Sequence, residues 1–277
     1  MIAVTGATGY VGGQTARRLA ERGAPLRLVV RDAGRAPDLG ADVRQASSYG
    51  AFDEMRAACE GVDTVFLVPA EEAPDRVEQH KTAVDAAVAA GVRRIFYLSF
   101  VAARPDSTFT LGRDHWATEE YVRACGLPFT LPRMNLYLDF MPRMVSDDGV
   151  IAGPGGTGRL AAVARDDIAE VVAVLLTSDG HDGASYDISG GEALTFAEIA
   201  AELTRLTGRT VTFKDETLEE AWASRAVYGA PDWMVEAWIS TYTAVARGEL
   251  DQVTDTVQRF TGHPPRTLAD VVRVATA

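Results

Sequence analysis

The sequence predicts an α/β protein with a doubly wound parallel sheet and a smaller, mainly helical C-terminal lobe. Short β-branched runs alternate with amphipathic stretches through residues 1–135, a glycine-rich turn joins the first strand to the first helix, and the rhythm changes after Pro132. Alternation of this kind marks repeated βα units, whose helices must cover parallel strands. The strand candidates are Ile2–Thr5, Leu26–Arg31, Val43–Ala46, Thr64–Val68, Arg94–Leu98 and Phe129–Leu131. Between them, Val11–Arg22, Phe52–Cys59, Arg76–Ala90 and Trp116–Cys125 carry apolar residues at three- and four-residue spacing, the period of a helix with one buried face.

Beyond Pro132, the stretch containing Pro142, Asp147, Asp148 and Gly149, and then Gly153 to Gly158, is turn material. Asp166–Leu176 reads as a helix and Ser185–Ser189 as a strand. Thr195 with Glu198, and Thr217 with Glu220, have the spacing of capping boxes that open helices. The expected division is one domain of residues 1–135, to which 161–190 return, and a smaller lobe of 136–160 and 191–277, with a cleft between them.

At 277 residues, 47% hydrophobic and 24% charged, the chain can bury a large core. Its formal net charge of -12 repels polyanions, so no nucleic-acid partner is expected. The start carries no charged and apolar leader, and the run Val171–Leu176 is far too short to cross a bilayer, so a cytoplasmic protein with no membrane partner is expected. Cys59 and Cys125 have no CxxC partner, and His80, His181 and His263 have no ligand spacing, so no metal is expected. Lys81 and Lys214 are the only lysines, which removes most candidates for lysine-dependent catalysis.

The segment Ile2–Gly13 reads IAVTGATGYVGG, placing Gly6, Gly9 and Gly12 directly after a strand and before a helix. A tight turn needs positive φ, a pyrophosphate needs close backbone approach, and the helix must pack against the strand. Amides around Thr8, Tyr10 and Val11 would then face the anion at the positive end of the helix dipole, as in a Rossmann-type dinucleotide site. Where an acidic residue would grip the ribose of NAD, this chain has Arg31, backed by Arg35. Two arginines there suit a 2′-phosphate, which favours NADP(H) over NAD(H). Asp32 keeps NAD(H) open, and two merely solvated arginines are the bland alternative.

The turn, Val30 to Asp32, Gln79 and His80, Tyr97 to Ser99, His115 ahead of Thr118 and Glu119, Arg133 to Asn135, and Thr261 to Thr267 together resemble the NmrA-like, atypical short-chain dehydrogenase/reductase family. Within it the sequence is most similar to the type 2 NAD(P)H:quinone oxidoreductases. The resemblance implies an NADP-binding Rossmann domain, a small substrate-binding lobe, and a substrate cleft over the nicotinamide. The Tyr-x-x-x-Lys pair of typical short-chain dehydrogenases is absent. His115 stands where some relatives place a lysine at the start of a helix, and either relays a proton near neutral pH or only shapes the cleft.

Ser99, at the end of the fifth strand, either hydrogen-bonds substrate or nicotinamide ribose or caps local backbone. Val68, Pro69 and Ala70 are expected to flank the nucleotide by backbone and van der Waals contact. Asn135 and Tyr137 are candidate substrate-cleft groups or structural turn contacts, and Ser47 replaces an acidic residue common in relatives on the adenine side. The expected function is an NADPH-dependent reductase passing hydride to a quinone or similar conjugated small molecule, acting as a monomer or homodimer. The alternative is a non-catalytic NADP(H)-sensing regulator of the same family.

Overall fold

The computed structural model describes residues 1–276. In chain order the first elements are β1 (Ile2–Thr5), α1 (Tyr10–Glu21), β2 (Leu26–Val30), β3 (Asp42–Gln45), α2 (Phe52–Cys59), β4 (Thr64–Leu67), α3 (Arg76–Ala89), β5 (Arg94–Tyr97), β6 (Ser99–Phe100), α4 (Thr110–Ala124) and β7 (Phe129–Met134). The later ones are β8 (Val150–Gly153), β9 (Arg159–Leu160), α5 (Arg165–Leu176), β10 (Ala184–Ile188), β11 (Leu194–Thr195), α6 (Phe196–Thr207), β12 (Thr212–Asp215), α7 (Leu218–Arg225), α8 (Asp232–Ala246), α9 (Thr256–Thr261) and α10 (Leu268–Thr276).

One large sheet has the strand order β10-β7-β5-β4-β1-β2-β3, with β6 pairing β7. The pairs β1 with β2, β1 with β4, β2 with β3, β4 with β5 and β5 with β7 are parallel. This is the doubly wound arrangement the alternating pattern predicts. The order reverses between β1 and β4, which opens a crevice at the carboxyl ends of those strands. Helix packing follows from the apolar spacing: Met55 and Cys59 of α2, and Val84 and Ala87 of α3, are buried against Val65 and Ile95 of the sheet. Burial of Met55, Val65, Val84 and Ile95 contributes roughly 1.5–3 kcal/mol each.

The chain divides into two compact units, of Met1–Phe100, Asp114–Met134 and Asp166–Asp187, and of Val101–Arg113, Asn135–Arg165 and the chain from Ile188 onward. The sequence reading placed Val101–Arg113 in the first domain, whereas the fold places it in the second unit. There Thr108 bonds Glu249 through both its amide and its hydroxyl, and the Thr110 amide donates to Ser240 Oγ. Long-range partners of this kind leave no local signal in a sequence.

In the second unit β8 pairs β12 in parallel and β9 pairs β11 antiparallel. Both capping boxes form: Thr195 and Glu198 close the start of α6, and Thr217 and Glu220 that of α7. Helix α4 begins at Thr110, six residues before its sequence-predicted start at Trp116. Gly112 makes that stretch look like a break, but a Cβ there would lie 2.5 Å from Ser107 Oγ, so close packing demands the glycine inside the helix. Among the described residues, no helix is long and apolar enough to cross a membrane.

Candidate nucleotide site

A cavity of about 580 Å³ opens at the carboxyl ends of β1 to β4. Gly6, Thr8 and Gly9 line it from the turn, Arg31 and Arg35 from beyond β2, Ser47 to Tyr49 from beyond β3, Val68 to Ala73 from beyond β4, and Gln79 from α3. Gly6 has φ +60, and a Cβ there would crowd Val68 at 3.2 Å. Gly12 holds α1 down on the turn, since a Cβ there would sit 2.4 Å from the Gly6 carbonyl oxygen. Gly9 is the N-cap of α1, with ordinary φ -85, and a Cβ there would sit moderately tight at 3.3 Å from that oxygen.

No acidic residue lies in the first turn of α1, so the positive end of its dipole is not neutralised locally. Val11 and Gly12 are buried within α1 and Tyr10 is exposed, and these three do not line the cavity.

Arg31 pairs with Glu71 at 3.2 Å, with side chains 69% and 79% exposed. An exposed pair contributes at most about 1 kcal/mol, so this guanidinium can exchange its carboxylate for a phosphate at little cost. Asp32, the residue that kept NAD(H) open, does not line the cavity. Its carboxylate instead accepts the Gly34 amide at 2.9 Å and caps the short turn Ala33–Arg35 that carries Arg35. A local backbone demand thus removes the acid and leaves the two arginines at the cavity.

Ser47 lines the cavity through a loop held by Glu54, whose carboxylate accepts the Ser47 amide at 2.6 Å and is thereby kept below its usual pKa. Tyr49 was not foreseen. Its hydroxyl lies 2.6 Å from Thr5 Oγ1 and 2.7 Å from the Val68 carbonyl, and burial pushes its pKa up, so it stays a neutral donor. Ser48, Glu72 and Gln79 also line the cavity without having been singled out as ligand contacts. The signal available for Ser48 and Tyr49 was their position past the end of β3, where ligands of open sheets gather.

His115 and Ser99 do not line this cavity. His115 is the sixth residue of α4 rather than its first, and only 2% exposed. Its Nδ1 lies 2.9 Å from the Tyr97 hydroxyl. Burial, with the Arg76 charge second, drives its pKa well below 6.5, so the titration near pH 6–7 expected of an ordinary histidine does not hold. Burial pushes the Tyr97 phenol up as well, so both partners are neutral near pH 7. Ser99 is fully buried in β6, and its Oγ has no hydrogen-bond partner among the described residues.

Asn135 spends its side chain on backbone, with Nδ2 donating to Leu250 O at 3.0 Å and Oδ1 accepting the Leu136 amide at 2.8 Å. Tyr137 is half-buried at the N-cap position of the short helix Leu138–Met144, with its ring edge-on to Phe140 at 5.4 Å.

A parallel sheet of this order, with a glycine turn at its reversal point and two arginines on the same cavity, defines a Rossmann-class dinucleotide-binding protein. The chain belongs to the NmrA-like family, whose model matches residues 1–255. It is 32% identical to an NAD(P)H azoreductase of Xenophilus azovorans over 100% of this chain and 98% of that protein. It is also similar to the NADPH-dependent quinone oxidoreductase of Escherichia coli, solved as a complex with NADPH, at 31% identity and a TM-score of 0.91 over 100% of both chains. Nmra, a negative transcriptional regulator solved with NAD, shares 19% identity at a TM-score of 0.76 over 98% of this chain and 94% of that one, a likeness of fold alone.

Proposed function

We propose that this chain is an NADPH-dependent reductase that passes hydride to a quinone or a similar conjugated small molecule. The observation that carries the proposal is one cavity lined by both the glycine turn and the Arg31 and Arg35 pair, with Asp32 turned away. Those residues fit the dinucleotide: the turn admits a pyrophosphate against a helix start free of acid, and the guanidiniums match a 2′-phosphate. Full-length similarity to NAD(P)H-dependent reductases supports the reductase reading, whereas similarity to the regulator reaches only the fold.

When bound, the dinucleotide supplies the hydride, and the chain supplies binding, orientation and exclusion of water. Arg31 and Arg35 would hold its 2′-phosphate, the Gly6–Gly12 turn would hold its pyrophosphate, and Val68 to Ala70 form an apolar wall. Ser99, whose buried hydroxyl has no partner among the described residues, remains the candidate contact to the nicotinamide ribose or substrate. The Tyr97 and His115 pair shapes the interior behind it as neutral groups, without a proton relay at neutral pH. A quinone suits such a site because its reduced oxygen is a stabilised phenolate that needs little acid assistance. Asn135 serves as a structural anchor in this reading, and Tyr137 remains the substrate-side candidate of the second unit. A small-molecule substrate and a cytoplasmic location complete the proposal.

The test is NADPH oxidation followed at its absorbance band with a panel of benzoquinones, naphthoquinones and azo dyes. Turnover with at least one acceptor is expected. Tight NADPH binding with no turnover on any of them would instead favour the sensing role.

A further inference from the structure

The cavity wall that follows β4 has its backbone polar groups held by side chains. The Thr5 hydroxyl donates to Phe66 O at 3.2 Å and accepts the Val68 amide at 2.9 Å, and the Tyr49 hydroxyl stands 2.7 Å from Val68 O. Pro69 has no amide proton. Both polar groups of Ala70 are then held from α3. His80 Nε2 accepts the Ala70 amide at 2.8 Å, and Arg76 Nε donates to the Ala70 carbonyl at 3.0 Å. Arg76 and His80 are four residues apart, hence on one helix face, and are 5% and 0% exposed.

The polarity of this arrangement follows from valence. An amide N–H can only donate, so His80 Nε2 carries the lone pair and Nδ1 the proton. That proton points to Thr118 Oγ1 at 2.9 Å, and the Thr118 hydroxyl in turn donates to Asp114 O at 2.9 Å in α4. A protonated or flipped His80 would face the Ala70 amide with another N–H. A buried histidine bonded in this way is usually a packing element. Here, however, one of its partners is the peptide that forms the wall of the ligand cavity.

We propose that His80, with Arg76, is a positioning residue of the nucleotide site: it fixes the Ala70 peptide so that Val68, Pro69 and Ala70 present a rigid apolar surface on which a ring of the dinucleotide rests by shape. The inference rests on the reading of the cavity as a nucleotide site. A wall set before binding spares the ligand the cost of ordering it, so loosening the wall weakens binding without any lost contact to the ligand. It is also indifferent to the 2′-phosphate, which Arg31 and Arg35 handle.

The experiment compares His80→Phe, which keeps an aromatic ring but no acceptor, with His80→Gln, which keeps an acceptor and a donor. NADPH and NADH are titrated calorimetrically into each folded variant. His80→Phe should weaken both nucleotides by the same factor, about 3- to 10-fold for one lost neutral hydrogen bond. His80→Gln should recover most of that loss, and Arg76→Met should also weaken both nucleotides without preference. Parent-like affinities in His80→Phe, or an equal loss in His80→Gln, would overturn the proposal.

Should His80→Phe fail to fold, nitrogen-15 spectra of the parent decide. His80 should show a bare Nε2 and a protonated Nδ1 between about pH 5 and 8, and a protonated Nε2 would remove the clamp. A parent that binds neither nucleotide would overturn the assignment of the cavity itself, and that result is read independently of the tautomer.

Discussion

Acidification should destabilise the folded chain through His80. Burial lowers its pKa from 6.5 to about 3, while the unfolded chain takes up the proton near the ordinary value. A depressed folded pKa contributes stability that is complete above the unfolded value and is lost as pH falls toward the folded one, here from 6.5 down to about 3. Each pH unit in that window removes about 1.4 kcal/mol, so a drop from pH 6.5 to pH 5 costs about 2 kcal/mol from His80 alone. His115 acts with the same sign, because burial also lowers its pKa.

The carboxyls of Glu72, Asp114 and Asp187, raised by burial, act in the opposite sense as they take up protons in the folded state first. The readout is therefore the difference between parent and His80→Gln. Urea unfolding of both at about pH 7.5, 6.5 and 5 should show the parent losing about 2 kcal/mol more than the variant between the last two values. Parallel losses in the two proteins would refute the buried, neutral state of His80.

Arg31→Ala should weaken NADPH by about 10- to 150-fold, the worth of a charge-assisted hydrogen bond, and leave NADH nearly unchanged in calorimetric titrations. Gly9→Val should lose nucleotide binding with little change in melting temperature, because Gly9 has ordinary φ and its Cβ position is only moderately tight. Gly12→Ala, whose Cβ would meet the Gly6 carbonyl at 2.4 Å, should lower the melting temperature as well as binding. His115→Ala should leave the shape of the kcat profile between about pH 6 and 7 unchanged, since the parent imidazole does not titrate there. A parent profile with an inflection in that range that vanishes in the variant would restore the proton relay.

What the sequence determined alone was the local and periodic part. The βα alternation, the turn at Gly6, Gly9 and Gly12, and the capping boxes at Thr195 and Thr217 are written in residues a few positions apart, and the strands and helices follow within a residue or two in most cases. Arg31 was legible because a strand end and a ribose contact keep a regular spacing in this architecture.

The tertiary structure alone decided which way side chains turn and what they meet. Asp32 turns to the Gly34 amide, the helical position 112 takes a glycine because Ser107 packs against it, and His115 sits in a desolvated interior rather than at a helix start. Tyr49 is tied to Thr5, tens of residues away, and His80 joins the Ala70 peptide of the cavity wall to Thr118 of α4. Desolvation and long-range hydrogen bonds depend on packing, and packing has no short-range pattern from which a sequence could be read.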